Sequence, residues 1–152
     1  MAQAYRDAGA VVHYVDPIHT PKPNQMFAAD LMFMTPEGAI LARPASDVRA
    51  GEEREVARSL AALGIPIVRS ISGRGTFEGA DAMWLSPKKV IVGRGMRTNA
   101  EGVRQIRTVL GEMGVEVIDV DMPVGTMHLM GMLRIVGENL ALAWPVRLVY
   151  AA

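Results

Sequence analysis

Cysteine is absent from the 152-residue sequence, which excludes disulfides, thiolate metal sites and a cysteine nucleophile among these residues. Long apolar runs are also missing, because charged residues, Gly and Pro interrupt every stretch before the roughly 18 residues that a membrane-spanning helix needs. The 16 basic and 16 acidic residues cancel, so net charge predicts neither a nucleic-acid nor a membrane partner. The opening residues, MAQAYRDAGA, lack the basic and then apolar segments of a secretory signal. We therefore expect a cytoplasmic protein.

Half of the residues are hydrophobic, which together with the chain length predicts a single domain with a packed core. The apolar pattern changes along the chain between helical and strand spacing, and so predicts an α/β fold. Helices are expected from about Arg49 to Leu63, capped by Asp47, and after the cap Asn99. Hairpins are expected at Leu31 to Arg43, Met83 to Val92 and Met132 to Trp144, and single strands at Ala10 to Val15, Ile65 to Arg69 and Val115 to Val120.

These elements recur with a period of about 50 residues. The hairpin turns at Pro36, Pro87 and Gly137 are spaced by this period, and so are the helix ends at Gly64 and Gly114. The repeated unit is strand, strand, helix, strand. We expect one domain over residues 1–152, with complete units at about 30–70 and 81–120 and partial units at about 1–29 and 131–152. Such units bury their apolar faces by stacking, and a radial stack brings equivalent positions to one centre.

The same spacing relates four polar residues. Asp30 and Asp81 each lie six residues before a hairpin turn, and Glu78 and His128 each lie nine before one. A radial stack would gather these carboxylates and the imidazole at one end of its axis. Such a cluster suits a cationic substrate, because carboxylates pair with a planar guanidinium and a histidine moves protons near neutral pH.

Each of these residues also has a purely structural interpretation. His128 lies among apolar neighbours and could be a core histidine, while the carboxylates could cap loop amides. The shared spacing favours the functional interpretation. The three histidines are too scattered to form a metal motif, so no metal is expected. The GRG triplets lack the pattern of a phosphate loop, and no cofactor is expected either.

Four segments together resemble the guanidino-group modifying enzymes, the superfamily of arginine deiminases, dimethylarginine dimethylaminohydrolases and glycine amidinotransferases. The segments are NQMFAAD, FEGADAMWL, GRGMRTNAEGVRQ and MHLMG. The resemblance implies a pentein fold, a radial α/β propeller, of which this chain would form about three units and be incomplete at both ends. It also implies a general acid/base role for His128, and that Glu78 orients the imidazole or binds the guanidinium.

The resemblance further implies that Asp30 binds the guanidinium, and that Arg49 and Arg97 contact a substrate carboxylate. Asp81 is expected to bind the guanidinium as well, because it shares the repeat position of Asp30. Three positions depart from the family pattern. Ala29 replaces an arginine, Ala80 replaces a glycine, and the cysteine nucleophile of the family has no counterpart among the residues.

Three functions follow as alternatives. The chain is an amidinotransferase or guanidino-hydrolase family fragment, acting on arginine-like compounds and inactive alone; or it binds a guanidinium or amine ligand without turnover; or it is an interaction protein that reuses the fold. We expect a homodimer, or a complementary C-terminal chain that brings a cysteine, because open propeller faces would expose apolar residues.

Overall fold

The computed structural model describes residues 1–147 as a mixed α/β fold of small sheets and short helices. The predicted domain and its last partial unit extend to residue 152, and their portion at 148–152 lies outside the described residues. The helices are α1 (Ala2–Asp7), α2 (Glu52–Ala62) and α3 (Ala100–Glu112). The strands are β1 (Met32–Thr35), β2 (Gly38–Leu41), β3 (Ile67–Ser70), β4 (Ala82–Ser86), β5 (Lys89–Arg94), β6 (Glu116–Asp121), β7 (Leu133–Gly137) and β8 (Leu140–Ala143).

Two of the sheets share one topology. In the first, β1 and β2 form an antiparallel hairpin, and β3 joins β2 in parallel. In the second, β4 and β5 form the hairpin and β6 joins β5 in parallel. A parallel neighbour requires a crossover connection, which α2 and α3 provide. The predicted order of strand, strand, helix, strand is therefore observed twice, and β7 with β8 forms a third hairpin.

The core lies between the sheets and these crossover helices. Helix α3 buries residues spaced three and four apart, including Ile106 and Leu110, against a cluster that contains Ile40, Phe77 and Val90. Its predicted cap is confirmed, because the Asn99 side chain accepts a hydrogen bond from the Gly102 amide at 2.8 Å. A smaller cluster packs beneath α2.

A one-turn 3-10 helix precedes each hairpin. These three segments, here called the leading turns, are Ala28–Asp30, Gly79–Asp81 and Leu129–Gly131. Asp30 and Asp81 end their turns, whereas Glu78 and His128 immediately precede theirs. The local equivalence predicted from spacing is thus observed.

The middle leading turn packs against both of the others. Contact with the first is close enough to require glycine at position 79. A Cβ there would lie 2.0 Å from the Met32 carbonyl oxygen and 2.5 Å from that of Ala29. A side chain at this position would therefore push the first two turns apart.

Two local predictions were wrong. Residues 10–15 are irregular rather than a strand, with Val11 and Tyr14 exposed. Asp47 does not cap α2: it begins a separate 3-10 turn, Asp47–Arg49, and α2 starts only after Gly51, whose φ is +91°. This left-handed glycine separates the turn that contains Arg49 from α2. Within residues 1–147, no helix has the length and apolar character needed to cross a bilayer.

Candidate functional site

The leading turns bring Asp30, Glu78, Asp81 and His128 into one cluster around an imidazole. His128 Nε2 lies 3.5 Å from Glu78 Oε2 and 3.8 Å from Asp30 Oδ1. On the opposite side of the ring, Nδ1 lies 3.4 Å from Asp81 Oδ1. The sequence predicted that these four groups would converge, and the structure places them together.

The carboxylates are nearly inaccessible to solvent. Relative exposure is 7% for Asp30, 0% for Glu78 and 1% for Asp81. A buried charge is costly unless it is paired and hydrogen-bonded. Arg49 supplies the pairing for two of them, since its Nη1 lies 2.6 Å from Asp30 Oδ2 and 3.3 Å from Glu78 Oε2. The second Glu78 oxygen accepts the Ala45 amide at 3.2 Å.

Arg49 is itself enclosed by acceptors. Its Nε lies 2.8 Å from Glu52 Oε2, and Nη2 donates to the Asn24 carbonyl at 3.2 Å. All three guanidinium nitrogens are thus engaged within the protein. Arg49 is therefore paired with buried carboxylates in this structure, and the substrate contact expected for it stays a prediction.

Arg97 occupies a more open position beside Glu78. Its Nη1 lies 3.7 Å from Glu78 Oε1, and its side chain is 21% exposed. Its buried Nε has no hydrogen-bond partner among the described residues. Arg97 consequently keeps donor capacity beyond its ion pair.

Asp81 is held by groups other than arginine. The Thr98 hydroxyl donates to Asp81 Oδ2 at 2.6 Å, and the Leu129 amide donates to Oδ1 at 3.0 Å. Thr98 also accepts the Glu78 amide at 3.3 Å and so joins two of the acidic positions.

Thr98 and Glu52 are the two members of the site that sequence reasoning missed. Glu52 lies three positions after Arg49, a spacing that could have suggested the pair. For Thr98 the sequence offered only its place between Arg97 and the cap Asn99.

Burial and charge shift the pKa values of two site residues. Burial raises the pKa of Glu78, although the Ala45 amide and the charges of His128, Arg97 and Arg49 oppose this. For His128, burial lowers the pKa, but the contact and charge of Asp81 and the charges of Asp30 and Glu78 outweigh it and raise the pKa. Raised pKa values at a buried carboxyl and a neighbouring imidazole are typical of groups that exchange protons.

A cavity of about 770 Å³ opens against one side of the cluster. Asp30 and His128 form part of its wall, and the rest is largely apolar, with Tyr5, Phe27 and Trp144 among the contributors. Glu78 and Asp81 lie behind this wall. A ligand in the cavity would therefore have the Asp30 carboxylate and the imidazole within the wall, together with the arginines Arg134 and Arg147.

Asp30, Glu78 and His128 also present one ligand atom each within 4.8 Å of one another. Arg49 already provides positive charge at two of these groups. Any cation bound by these three groups would therefore lie close to the positive charge of Arg49.

A model of the family "N,N dimethylarginine dimethylhydrolase, eukaryotic" matches residues 1–148. The chain belongs to this family. A dimethylarginine dimethylaminohydrolase from Streptomyces coelicolor is 33% identical over 98 residues, which are 64% of this chain and 37% of that protein. The predicted resemblance to guanidino-group modifying enzymes is thus confirmed.

Solved structures of the dimethylarginine dimethylhydrolase family have the same fold. A Cys-to-Ser variant from Pseudomonas aeruginosa, complexed with citrulline, superposes with a TM-score of 0.73 and 31% identity, over 80% of this chain and 47% of that one. The N-terminal domain of a cyanobacterial arginine dihydrolase has a TM-score of 0.85 at 21% identity, over 96% and 53%; this second likeness concerns the fold alone. The present chain spans about half or less of the relatives it matches.

Proposed function

We propose that this chain binds arginine-like guanidino compounds and contributes the cation-binding and acid–base groups for their modification. The observation that carries the proposal is the position of His128 and Asp30 in the cavity wall, with Glu78 directly behind them. Membership of the dimethylarginine dimethylhydrolase family supports the same chemistry.

Each residue has a separate role in this proposal. Asp30 pairs with the guanidinium that enters the cavity, since carboxylate and guanidinium match in geometry and charge. His128 donates and accepts the proton through Nε2, and Glu78 stabilises the imidazolium across 3.5 Å. Arg97 binds the carboxylate of an amino-acid substrate, and Arg49 neutralises Asp30 and Glu78 so that both can be buried.

Covalent guanidino chemistry needs a nucleophile in addition to these groups. The sequence contains no cysteine, so we propose that the residues present bind ligand without turnover. A nucleophile supplied from outside these residues, such as a complementary chain carrying a cysteine, would complete the hydrolase or transferase site. The alternative is a non-catalytic protein that binds a guanidinium or amine ligand, or that serves as an interaction protein. The pairing of Arg49 with Asp30 and Glu78 favours this alternative.

The proposal includes the radial propeller arrangement of the guanidino-modifying enzymes. Its support is the meeting of three equivalent leading turns at one cluster. In that arrangement the site lies at the end of the central axis, where the first and third units contribute Asp30 and His128 and the middle unit contributes Glu78 and Asp81.

Calorimetric titration with arginine, dimethylarginine and citrulline tests the binding proposal. The two cations should bind weakly, with a Kd on the order of millimolar, and neutral citrulline should bind less well because it lacks the charge that Asp30 recognises. Asp30→Asn should abolish the preference for cations, whereas Glu116→Gln, which removes an exposed carboxylate paired with Lys89, should keep it. Equal binding of all three ligands, or no binding of any, would overturn the proposal.

Turnover is tested in the same samples by measuring citrulline, the ureido product that hydrolysis of arginine or dimethylarginine would form. None is expected. Product formation that His128→Asn abolishes would show that another nucleophile replaces the cysteine.

A further inference from the structure

We propose that Asp81 and Thr98 form a positioning pair that holds His128 with Nδ1–H toward Asp81 and Nε2 toward the cavity side of the cluster. This gives Asp81 a role different from the guanidinium contact expected from the sequence. The inference rests on the proposed function in one respect. The orientation of the ring matters for chemistry because the proposed function assigns acid–base chemistry to Nε2.

The hydrogen bonds of Asp81 fix its carboxylate in one orientation. Thr98 is 0% exposed and donates its hydroxyl to Oδ2 at 2.6 Å, while the Leu129 amide donates to Oδ1 at 3.0 Å. The carboxylate is therefore held from two directions before any ligand arrives. The same oxygen that receives the Leu129 amide faces Nδ1 of the preceding residue, His128, at 3.4 Å.

The distribution of counter-ions decides which ring nitrogen carries the proton. Glu78 is near Arg49 and Arg97, and Asp30 is paired with Arg49. Among the described residues, Asp81 has no arginine or lysine partner, and its ion-pair contact is with His128. A buried carboxylate without another cation gains most from the imidazole proton. Nδ1, which has no other hydrogen-bond partner in the described structure, is thus the site of that proton in neutral His128.

Thr98 is the residue that connects this pair to the rest of the site. Its hydroxyl oxygen accepts the Glu78 amide at 3.3 Å while its proton goes to Asp81. Thr98 therefore holds two groups at once: the backbone of Glu78, which lies near Nε2, and the carboxylate of Asp81, which lies near Nδ1. The Nδ1–H form leaves Nε2 free to accept a proton on the side of the ring that faces Glu78 and Asp30.

Nitrogen-15 NMR of the histidine rings tests the pair on the chain alone, without any need for turnover. The ring signals of His128 are identified by their loss in His128→Asn, which separates them from those of His13 and His19. In the wild type above the pKa of His128, we expect the Nδ1–H tautomer to dominate. A dominant Nε2–H tautomer in the wild type would overturn the proposal whatever the variants do.

The matched variants are Thr98→Val, which keeps the branched shape and loses the hydroxyl, and Thr98→Ser, which keeps the hydroxyl. Thr98→Val should reduce the population of the Nδ1–H tautomer and shift the pKa of His128 downward, and Thr98→Ser should restore both. Unchanged ring signals in a folded Thr98→Val protein would also refute the pair. Arginine binding by the wild type is measured separately. Absence of arginine binding would overturn the proposed function, whereas the positioning pair is judged by the tautomer alone.

Discussion

Replacing Arg49 with methionine should destabilise the fold strongly, because the substitution keeps much of the side-chain volume and removes the only arginine that contacts Asp30 among the described residues. Three carboxylates would lose their common counter-ion: Asp30, Glu52 and Glu78, which are 7%, 2% and 0% exposed. Breaking a buried ion pair by removing one partner costs about 3–5 kcal/mol, since the remaining charge stays buried. Small domains are stable by roughly 5–15 kcal/mol, so the loss would be a large part of the total.

The effect can be measured by urea unfolding of Arg49→Met beside the wild type. With a slope of about 2 kcal/mol per molar urea, the midpoint should fall by about 2 M. Arg104→Met is the matched control, because Arg104 also pairs with a glutamate three positions away, Glu101, but at the surface. The control should leave the midpoint where it is.

The pH dependence distinguishes a lost counter-ion from lost packing. Burial already raises the pKa of Glu78, and removal of the Arg49 charge should raise it further. A carboxyl whose pKa is higher in the folded state takes up a proton on folding, so acidification favours the folded variant. The deficit of Arg49→Met should therefore be largest at pH 7 and become smaller as the pH falls toward 5. A midpoint close to that of the wild type at pH 7, or a deficit that does not change with pH, would refute the counter-ion role.

The other predictions concern backbone, titration and assembly. Gly79→Ala should lower the unfolding midpoint because a Cβ would meet the Met32 carbonyl at 2.0 Å. Gly111→Ala in α3, where a Cβ would meet no neighbouring atom, should instead stabilise the fold by about 0.5–1 kcal/mol. Equal effects of the two substitutions would contradict the close approach at Gly79. His128 has a raised pKa, so its stabilising contribution should be full below its unfolded pKa and lost as the pH rises through the folded value. The stability difference between wild type and His128→Asn should accordingly be larger at pH 6 than at pH 9, and a difference that is constant with pH would argue against the pairing. Light scattering with size exclusion should show a species larger than the 16.4 kDa chain, because the β7–β8 hairpin exposes Leu142 and, just beyond it, Trp144; a stable monomer at micromolar concentration would count against the dimer.

The helices and hairpins could be predicted from the sequence because the repeat is about 50 residues long and because particular residues, glycine above all, mark where the elements end. Gly64 and Gly114 end helices where left-handed backbone is needed, with φ of +70° and +69°. The spacing of Asp30 with Asp81, and of Glu78 with His128, predicted their equivalent places around the leading turns.

The internal pairing of the site could not be read in the same way. Gly51 separates Arg49 from α2. The Arg49 guanidinium reaches the acidic cluster because of this backbone geometry, which the sequence does not show. The resemblance implies a substrate contact for Arg49, but the sequence does not show that three buried acids surround it. Thr98 was missed for a similar reason, since a single hydroxyl gains its role only from the two backbones that meet there.

Amide chemical-shift mapping with dimethylarginine tests the central claim most directly, because two backbone amides report on the site carboxylates themselves. The Ala45 amide donates to Glu78 and the Leu129 amide donates to Asp81. We expect dimethylarginine to shift these two signals together with the ring signals of His128, and Asp30→Asn to remove the response. Shifts confined to other parts of the chain, or the same shifts with neutral citrulline, would contradict a guanidinium site at the leading turns.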